Sequence, residues 1–126
     1  MTVCNKNAKI KRSTAQKLIE RTADLIREYN SGDNPLKVVR MVVFGSYANS
    51  DKEMLSDVDI ALSWRAKEEN WNKWMEQRRD DMKRFYHRES DPDIIQIMTY
   101  MKREALVYFR QKSAWIQFTS LDYPGE

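Results

Sequence analysis

Two stretches of this chain place reactive residue types at spacings that suit phosphate chemistry. Val42-Val43-Phe44 is an apolar run ending in Gly45-Ser46, and Ser56-Asp57-Val58-Asp59-Ile60-Ala61-Leu62 carries two aspartates on alternate positions. Ten residues, Tyr47 to Ser56, separate Ser46 from Asp57. Side chains two apart on a strand point the same way. Asp57, Asp59, Ala61 and Ser63 are therefore expected on one face, and Val58, Ile60, Leu62 and Trp64 on the other. The second set is wholly apolar and belongs in a core; the first is small and acidic and would meet solvent or a ligand. Two carboxylates held side by side repel each other unless a proton or a cation intervenes. Hard oxygen donors without His or thiolate favour Mg²⁺, typically held by one or two carboxylates plus substrate phosphates.

Gly45-Ser46 supplies the other half. Of the three glycines, Gly32 falls in a loop, Gly125 in the tail, and Gly45 at the end of the most strand-prone run. Glycine there permits a tight turn and close backbone approach to a ligand. Residues after it are expected to open a short helix whose free N–H groups attract phosphate, with Ser46 adding a hydroxyl donor.

The combination Gly45-Ser46, ten residues, Asp57-x-Asp59 resembles the signature of the DNA polymerase β-like nucleotidyltransferase superfamily. It is most similar to the minimal nucleotidyltransferases, often encoded beside an all-helical HEPN protein. The likeness runs from the helix before Val38 to about Phe118, with the Gly-Ser and Asp-x-Asp parts as its specific elements. It implies an α+β fold like the polymerase β palm, with a mixed sheet of about four strands packed by helices. It also implies transfer of a nucleoside monophosphate, AMP from ATP, to a hydroxyl acceptor. Two Mg²⁺ ions would be bridged by Asp57 and Asp59, while Ser46 and the backbone beside Gly45 hold the β- and γ-phosphates. A third carboxylate is implied on the next strand; Asp93 opens that strand in the expected order, with Asp91 as the alternative. The implied acceptor is a hydroxyl side chain of a HEPN-type partner, which would make this chain an antitoxin of a toxin–antitoxin pair. One departure stands out: the Gly-Ser motif of the family often continues Ala-Arg-Gly, whereas this chain has Ala48-Asn49-Ser50. A basic residue elsewhere, such as Lys52, would have to replace the missing charge. Two other functions stay open, a small-molecule transferase of the aminoglycoside type and a non-catalytic antitoxin module with a degraded site.

The elements that must position these residues follow from periodicity. Ala15, Leu18, Ile19, Thr22, Leu25, Ile26 and Tyr29 recur at helical spacing, so a helix is expected from Ser13, with Ser13 and Gln16 as a capping box, to about Tyr29. The loop-forming run 30–35 stops it. Leu36–Phe44 reads as a strand, interrupted by Arg40 near an edge or sheet end, and Asp57–Trp64 as a second. Ala66 to His87 reads as the longest helix, with Trp71, Trp74, Met75, Arg78, Met82 and Phe85 on its more apolar stripe. Glu89-Ser90-Asp91-Pro92 breaks it; Asp93–Tyr100 is expected as a third strand, Lys102–Lys112 as a helix and Ala114–Thr119 as a last strand.

Composition narrows the classes. At 126 residues one domain is expected, with loose tails at 1–12 and 120–126. The 22 basic and 19 acidic residues give only +3, too little for a nucleic-acid tail. Cys4 and His87 stand alone, which excludes a disulfide framework or zinc cluster within the chain; His87 suits a helix end. No apolar run approaches the ~20 residues of a membrane span, and no signal-peptide core is present. A cytoplasmic protein without membrane contact is expected, its oligomeric state left open.

Overall fold

The computed structural model describes residues 9–67, 71–85 and 94–121. In chain order the elements are β1 (Ile10–Lys11), α1 (Arg12–Ser31), β2 (Leu36–Phe44), α2 (Ser46–Asn49), β3 (Met54–Leu55), β4 (Val58–Ala66), α3 (Trp71–Phe85), α4 (Ile94–Arg110) and β5 (Ile116–Ser120). Cys4, His87, Asp91 and Asp93 lie outside the described residues.

The alternation expected for residues 57–64 organises the sheet. Val58, Ile60, Leu62 and Trp64 are buried and belong to the core, while Asp59 and Ala61 point to the opposite face. β4 is central: β2 pairs with it antiparallel, β5 parallel, in the order β2-β4-β5. A parallel neighbour requires a long crossover, and α3 and α4 supply it. All the helices that contribute to the core pack on the apolar face, through Ala15, Leu25 and Ile26 of α1, Met75 and Met82 of α3, and Ile97, Met101, Ala105 and Phe109 of α4. A separate two-stranded ribbon joins β1 to β3. The described sheet is thus mixed and packed by helices, as expected for the α+β fold, with three strands in place of about four.

β2 keeps apolar residues inward along its whole length only by changing parity. Leu36 and Val38 face the core before the interruption; Met41 and Val43 pack against it afterwards. The register shifts between Val38 and Arg40, leaving Val39 49% exposed as the extra residue of a bulge. Arg40 therefore lies on an edge strand, as the sequence suggested, and is exposed. Asn30 satisfies the backbone at the bulge: its side-chain amide donates to Val38 O and accepts from Val38 N, both at 2.8 Å.

Several expectations change. Ala66 ends β4 instead of opening a helix, and among the described residues α3, with 15 residues, is shorter than α1 with 20 and α4 with 17. The first helix starts at Arg12, and its N-cap, Lys11, makes no side-chain capping bond, so the Ser13–Gln16 capping box does not form. Gln16 instead donates to Glu20 at 3.1 Å. More consequentially, the described part of Asp93–Tyr100 is not a strand. It is the start of α4, a single 17-residue helix that also absorbs the helix expected at Lys102–Lys112. Ile97, Met101, Ala105 and Phe109, four apart, are no more than 2% exposed, a helical and not an alternating pattern.

The chain leaves α4 through Gln111 and Lys112, both in the left-handed region at φ 57° and 59°. Neither is glycine, so each costs about 1–3 kcal/mol unless its surroundings hold it. Gln111 is held: its amide donates to Thr22 Oγ1 at 2.9 Å and to Leu18 O at 3.3 Å, on α1. That turn delivers β5 beside β4. Just before it, Phe109 stacks on Trp64 at 6.1 Å between centroids and meets Tyr29 edge-on at 5.3 Å, joining α4, the sheet and α1. Phe109→Ala is expected to cost about 3–5 kcal/mol, measured as a drop in unfolding free energy in urea.

Candidate active site

The antiparallel register pairs Phe44 with Asp59, so the residue after Phe44 turns beside the aspartate. That residue is Gly45, at φ 75° and ψ −152°, a conformation that side chains strongly disfavour. A Cβ there would also collide with Oδ2 of Asp59. Gly45 is required twice, by its backbone and by the carboxylate packed on it. The chain then makes the single turn α2, in which Asn49 N donates to Gly45 O at 2.9 Å. Ser50 closes it, donating to Ser46 O from its N–H at 3.1 Å and from Oγ at 2.6 Å. Ser46 is exposed at the start of this turn. Gly45, Ser46 and Asp59 are thus brought to one place, and Asp57 sits two residues before Asp59 at the mouth of β4.

A residue from the opposite end of the sequence fixes the loop that follows. Arg12 donates from Nε to Lys52 O at 2.8 Å, from Nη1 to Tyr47 O at 2.8 Å and from Nη2 to Ser50 O at 2.7 Å. Its own N–H donates to Glu53 O at 2.7 Å, and its guanidinium lies 4.8 Å from the centre of the Tyr47 ring. The planar guanidinium fork suits several carbonyls at once. Arg12 falls in the basic stretch expected to be loose, and only its contacts across about 40 residues reveal its role. Arg12 thus ties this loop through its carbonyls, that of Lys52 among them.

The two carboxyls are electrostatically coupled. Asp59 is pushed above the usual carboxylate range, first by partial burial, then by the charge of Asp57 and a hydrogen bond between the two side chains. A bond between carboxyls needs a proton, and a divalent cation would replace that proton with a better-matched charge. The donor set of hard oxygens against a Cβ-free backbone fits Mg²⁺. Among the described residues no group of three or more His, Cys, Asp or Glu side chains gathers to form a complete metal cage. Asp93 and Asp91, expected as the third acid, lie outside the described residues. The strand next to β4 on the side away from β2 is β5, Ile116-Gln117-Phe118-Thr119-Ser120. Gln117 occupies the position paired with Asp59.

A cavity of about 380 Å³ lies elsewhere, lined by Tyr29, Pro35, Arg78, Glu104 and Tyr108 among others. It adjoins the start of β2, roughly 27 Å along the strand from Phe44 at ~3.4 Å per residue. Its charged groups are already engaged: Arg78 pairs with Glu104 at 2.8 Å and Tyr108 donates to Glu28 at 2.7 Å. The Tyr29 hydroxyl there is pushed up to about 12, chiefly by burial. The chemistry belongs to the carboxylate end.

A mixed sheet with a Gly-Ser turn packed on an Asp-x-Asp strand defines a nucleotidyltransferase domain. The family model for polymerase beta, nucleotidyltransferase, matches residues 26–113, and the chain belongs to that family. A search of curated proteins found no match, and neither did a search of solved structures. Among the described residues no helix is long and apolar enough to cross a membrane.

Two outcomes follow from this geometry. Asp59 has its pKa raised on folding, so the folded state binds its proton more tightly than the unfolded chain does. Stability therefore falls as pH rises, beginning near the ordinary carboxylate pKa of about 3.9 and ending above the raised value. Asp59→Asn is expected to raise the Tm at pH 7 and to leave it unchanged at pH 3, as thermal melts at the two pH values will show. Arg12→Ala removes three charge-assisted hydrogen bonds from the loop and is expected to cost about 1.5–3 kcal/mol. Hydrogen exchange should quicken at the amides of 49–53 while those of α4 stay protected.

Proposed function

We propose that this protein is a Mg²⁺-dependent nucleotidyltransferase that moves AMP from ATP to a hydroxyl acceptor on a HEPN-type helical partner, acting as an antitoxin. The observation that carries the catalytic part is the contact of Asp59 with Gly45, which puts the carboxylate pair and the Gly-Ser turn in one place. Neither feature alone specifies nucleotide chemistry; their packing gives a triphosphate and its counter-ion adjoining positions. The acceptor rests on the resemblance to minimal nucleotidyltransferases.

In this reading Ser46 and the Gly45 backbone hold the terminal phosphates, and Arg12 keeps their loop in shape without spending its own charge on the nucleotide. Asp57 and Asp59 would hold Mg²⁺. When bound, it supplies charge compensation for the phosphates and lowers the pKa of the attacking oxygen. The acceptor oxygen bonds to the α-phosphorus as the bond to the pyrophosphate oxygen breaks. The acceptor proton leaves to an aspartate carboxylate or to solvent. Phe44, 39% exposed beside Asp59, offers an apolar surface at the same level.

A non-catalytic antitoxin module is the second reading, favoured by Asn49-Ser50 in place of Arg-Gly. Calorimetric titration of ATP with Mg²⁺ separates the two. The catalytic reading expects saturable, metal-dependent binding to the wild type and at least a tenfold loss in Asp57→Asn/Asp59→Asn. Circular dichroism and a thermal melt of the double variant check that loss of binding does not reflect unfolding. Equal binding by both proteins would sink the assignment of the aspartates. Transfer of labelled AMP from ATP to a HEPN-type protein, judged by mass spectrometry, tests the acceptor.

A further inference from the structure

The sheet face that carries Asp59 is small enough to take residue by residue. Level with Asp59, β2 presents Phe44 and β5 presents Gln117; one step along lie Val42, Ala61 and Thr119. Paired residues on neighbouring strands share a face and sit about 4.8 Å apart across the backbone. Phe44, Val42 and Ala61 offer no ligand atom. Gln117 is thus the polar side chain that the described sheet sets directly beside Asp59. It is exposed, and its carboxamide takes no hydrogen bond among the described residues. Its position is firmly set: Ile116 and Phe118 on either side turn into the core against Val58 and Ile60, so the intervening Gln117 must turn outward.

The chemistry of a carboxamide differs from that of an acid in two ways that matter here. Its oxygen can ligate a hard cation but carries no charge, and it cannot take up a proton at neutral pH. Two aspartates provide charge and lone pairs for one dication together with a nucleotide's phosphates. A second dication would need a further anionic ligand, and the residues that flank Asp59 in the described sheet, Phe44 on β2 and Gln117 on β5, supply none.

We propose that Gln117 is the third side chain of this site, and that its neutral carboxamide limits tight binding to one divalent cation per bound nucleotide. This rests on the nucleotidyl-transfer reading above and revises its two-ion expectation. Gln117 then serves as an oxygen ligand or hydrogen-bond partner beside Asp59.

The test counts ions and needs no turnover. Mn²⁺ is titrated into the full chain with a saturating non-hydrolysable ATP analogue, and free Mn²⁺ is read by electron paramagnetic resonance. The wild type is expected to hold one ion tightly per protein–nucleotide complex, with any second at least tenfold weaker. Gln117→Asp is expected to tighten the second ion at least tenfold, and Gln117→Glu, with a longer reach, offers a second acid at the same place. Gln117→Ala should keep the first ion. Because the residue is exposed, all three variants should retain the wild-type circular dichroism, which checks that they fold. Two tight ions in the wild type would overturn the proposal, as would folded acidic variants that still hold one. If the wild type binds neither Mn²⁺ nor the analogue, the nucleotide-site reading falls and takes this inference with it. If it binds both but Gln117 substitutions change nothing, the site stands and only the role of Gln117 is lost.

Discussion

The packing of the Asp59 carboxylate on the backbone of Gly45 is the contact on which the site depends. It exists because β2 and β4 run antiparallel with Phe44 opposite Asp59, and because Gly45 has no Cβ to prevent it. The register is in turn held from the other face. Each of the inward residues of β4 packs into the helical layer, and a slip by one residue would turn Val58, Ile60 and Leu62 out and the aspartate in. The apolar core is therefore what aims the carboxylate. The bulge at Val39 belongs to the same scheme, since without it either Leu36 and Val38 or Met41 and Val43 would face solvent.

Around that contact the molecule tolerates a local electrostatic cost. Asp57 and Asp59 are coupled closely enough to raise the proton affinity of Asp59, which is unfavourable for an empty site at neutral pH. Groups arranged to bind a cation have this property, as their mutual repulsion is relieved only on binding. Paired surface charges elsewhere show the opposite arrangement: Arg78 lies between Asp81 and Glu104, so opposite charges meet. The contrast marks the aspartate pair as the place where the protein is built for something other than its own stability.

Much of this was legible in sequence because the relevant signals are local. Leu36–Phe44 is a strand with the boundaries its apolar run indicates, and Val58, Ile60, Leu62 and Trp64 enter the core as alternation indicates, although Ala61 and Ser63 on the other face are buried as well. The misreading of Asp93–Tyr100 has a physical cause. Ile94-Ile95-Gln96-Ile97 is a short β-branched run that fits a strand as well as a buried helix segment. The deciding evidence is further on, where Met101, Ala105 and Phe109 continue the spacing of Ile97 to the end of the helix. Taking the first four residues as a strand also extended that strand back to Asp93, which lies outside the described residues. Arg12 was invisible for a different reason: its partners are main-chain carbonyls, which have no sequence signature.

Arg12 and Gln117 together show that the site's two sides depart from the family pattern unequally. On the nucleotide side, Asn49-Ser50 lacks the cation and the glycine of the usual motif. Yet a guanidinium reaches in from α1 and ties the same loop through three carbonyls, so its shape is supported from another element. On the β5 side no such substitute is present among the described residues: the strand beside Asp59 carries an amide and two hydroxyls and no acid. A site that had simply decayed would have no reason to keep Gly45 at a positive φ, a close carboxylate pair and an arginine clamp. In the nucleotidyl-transfer reading proposed above, the Gly-Ser turn is the supported part of the site, and charge beyond the aspartate pair would come from the acceptor. A hydroxyl brought in on a protein surface can carry its own charged neighbours to Asp59, which a small free alcohol cannot.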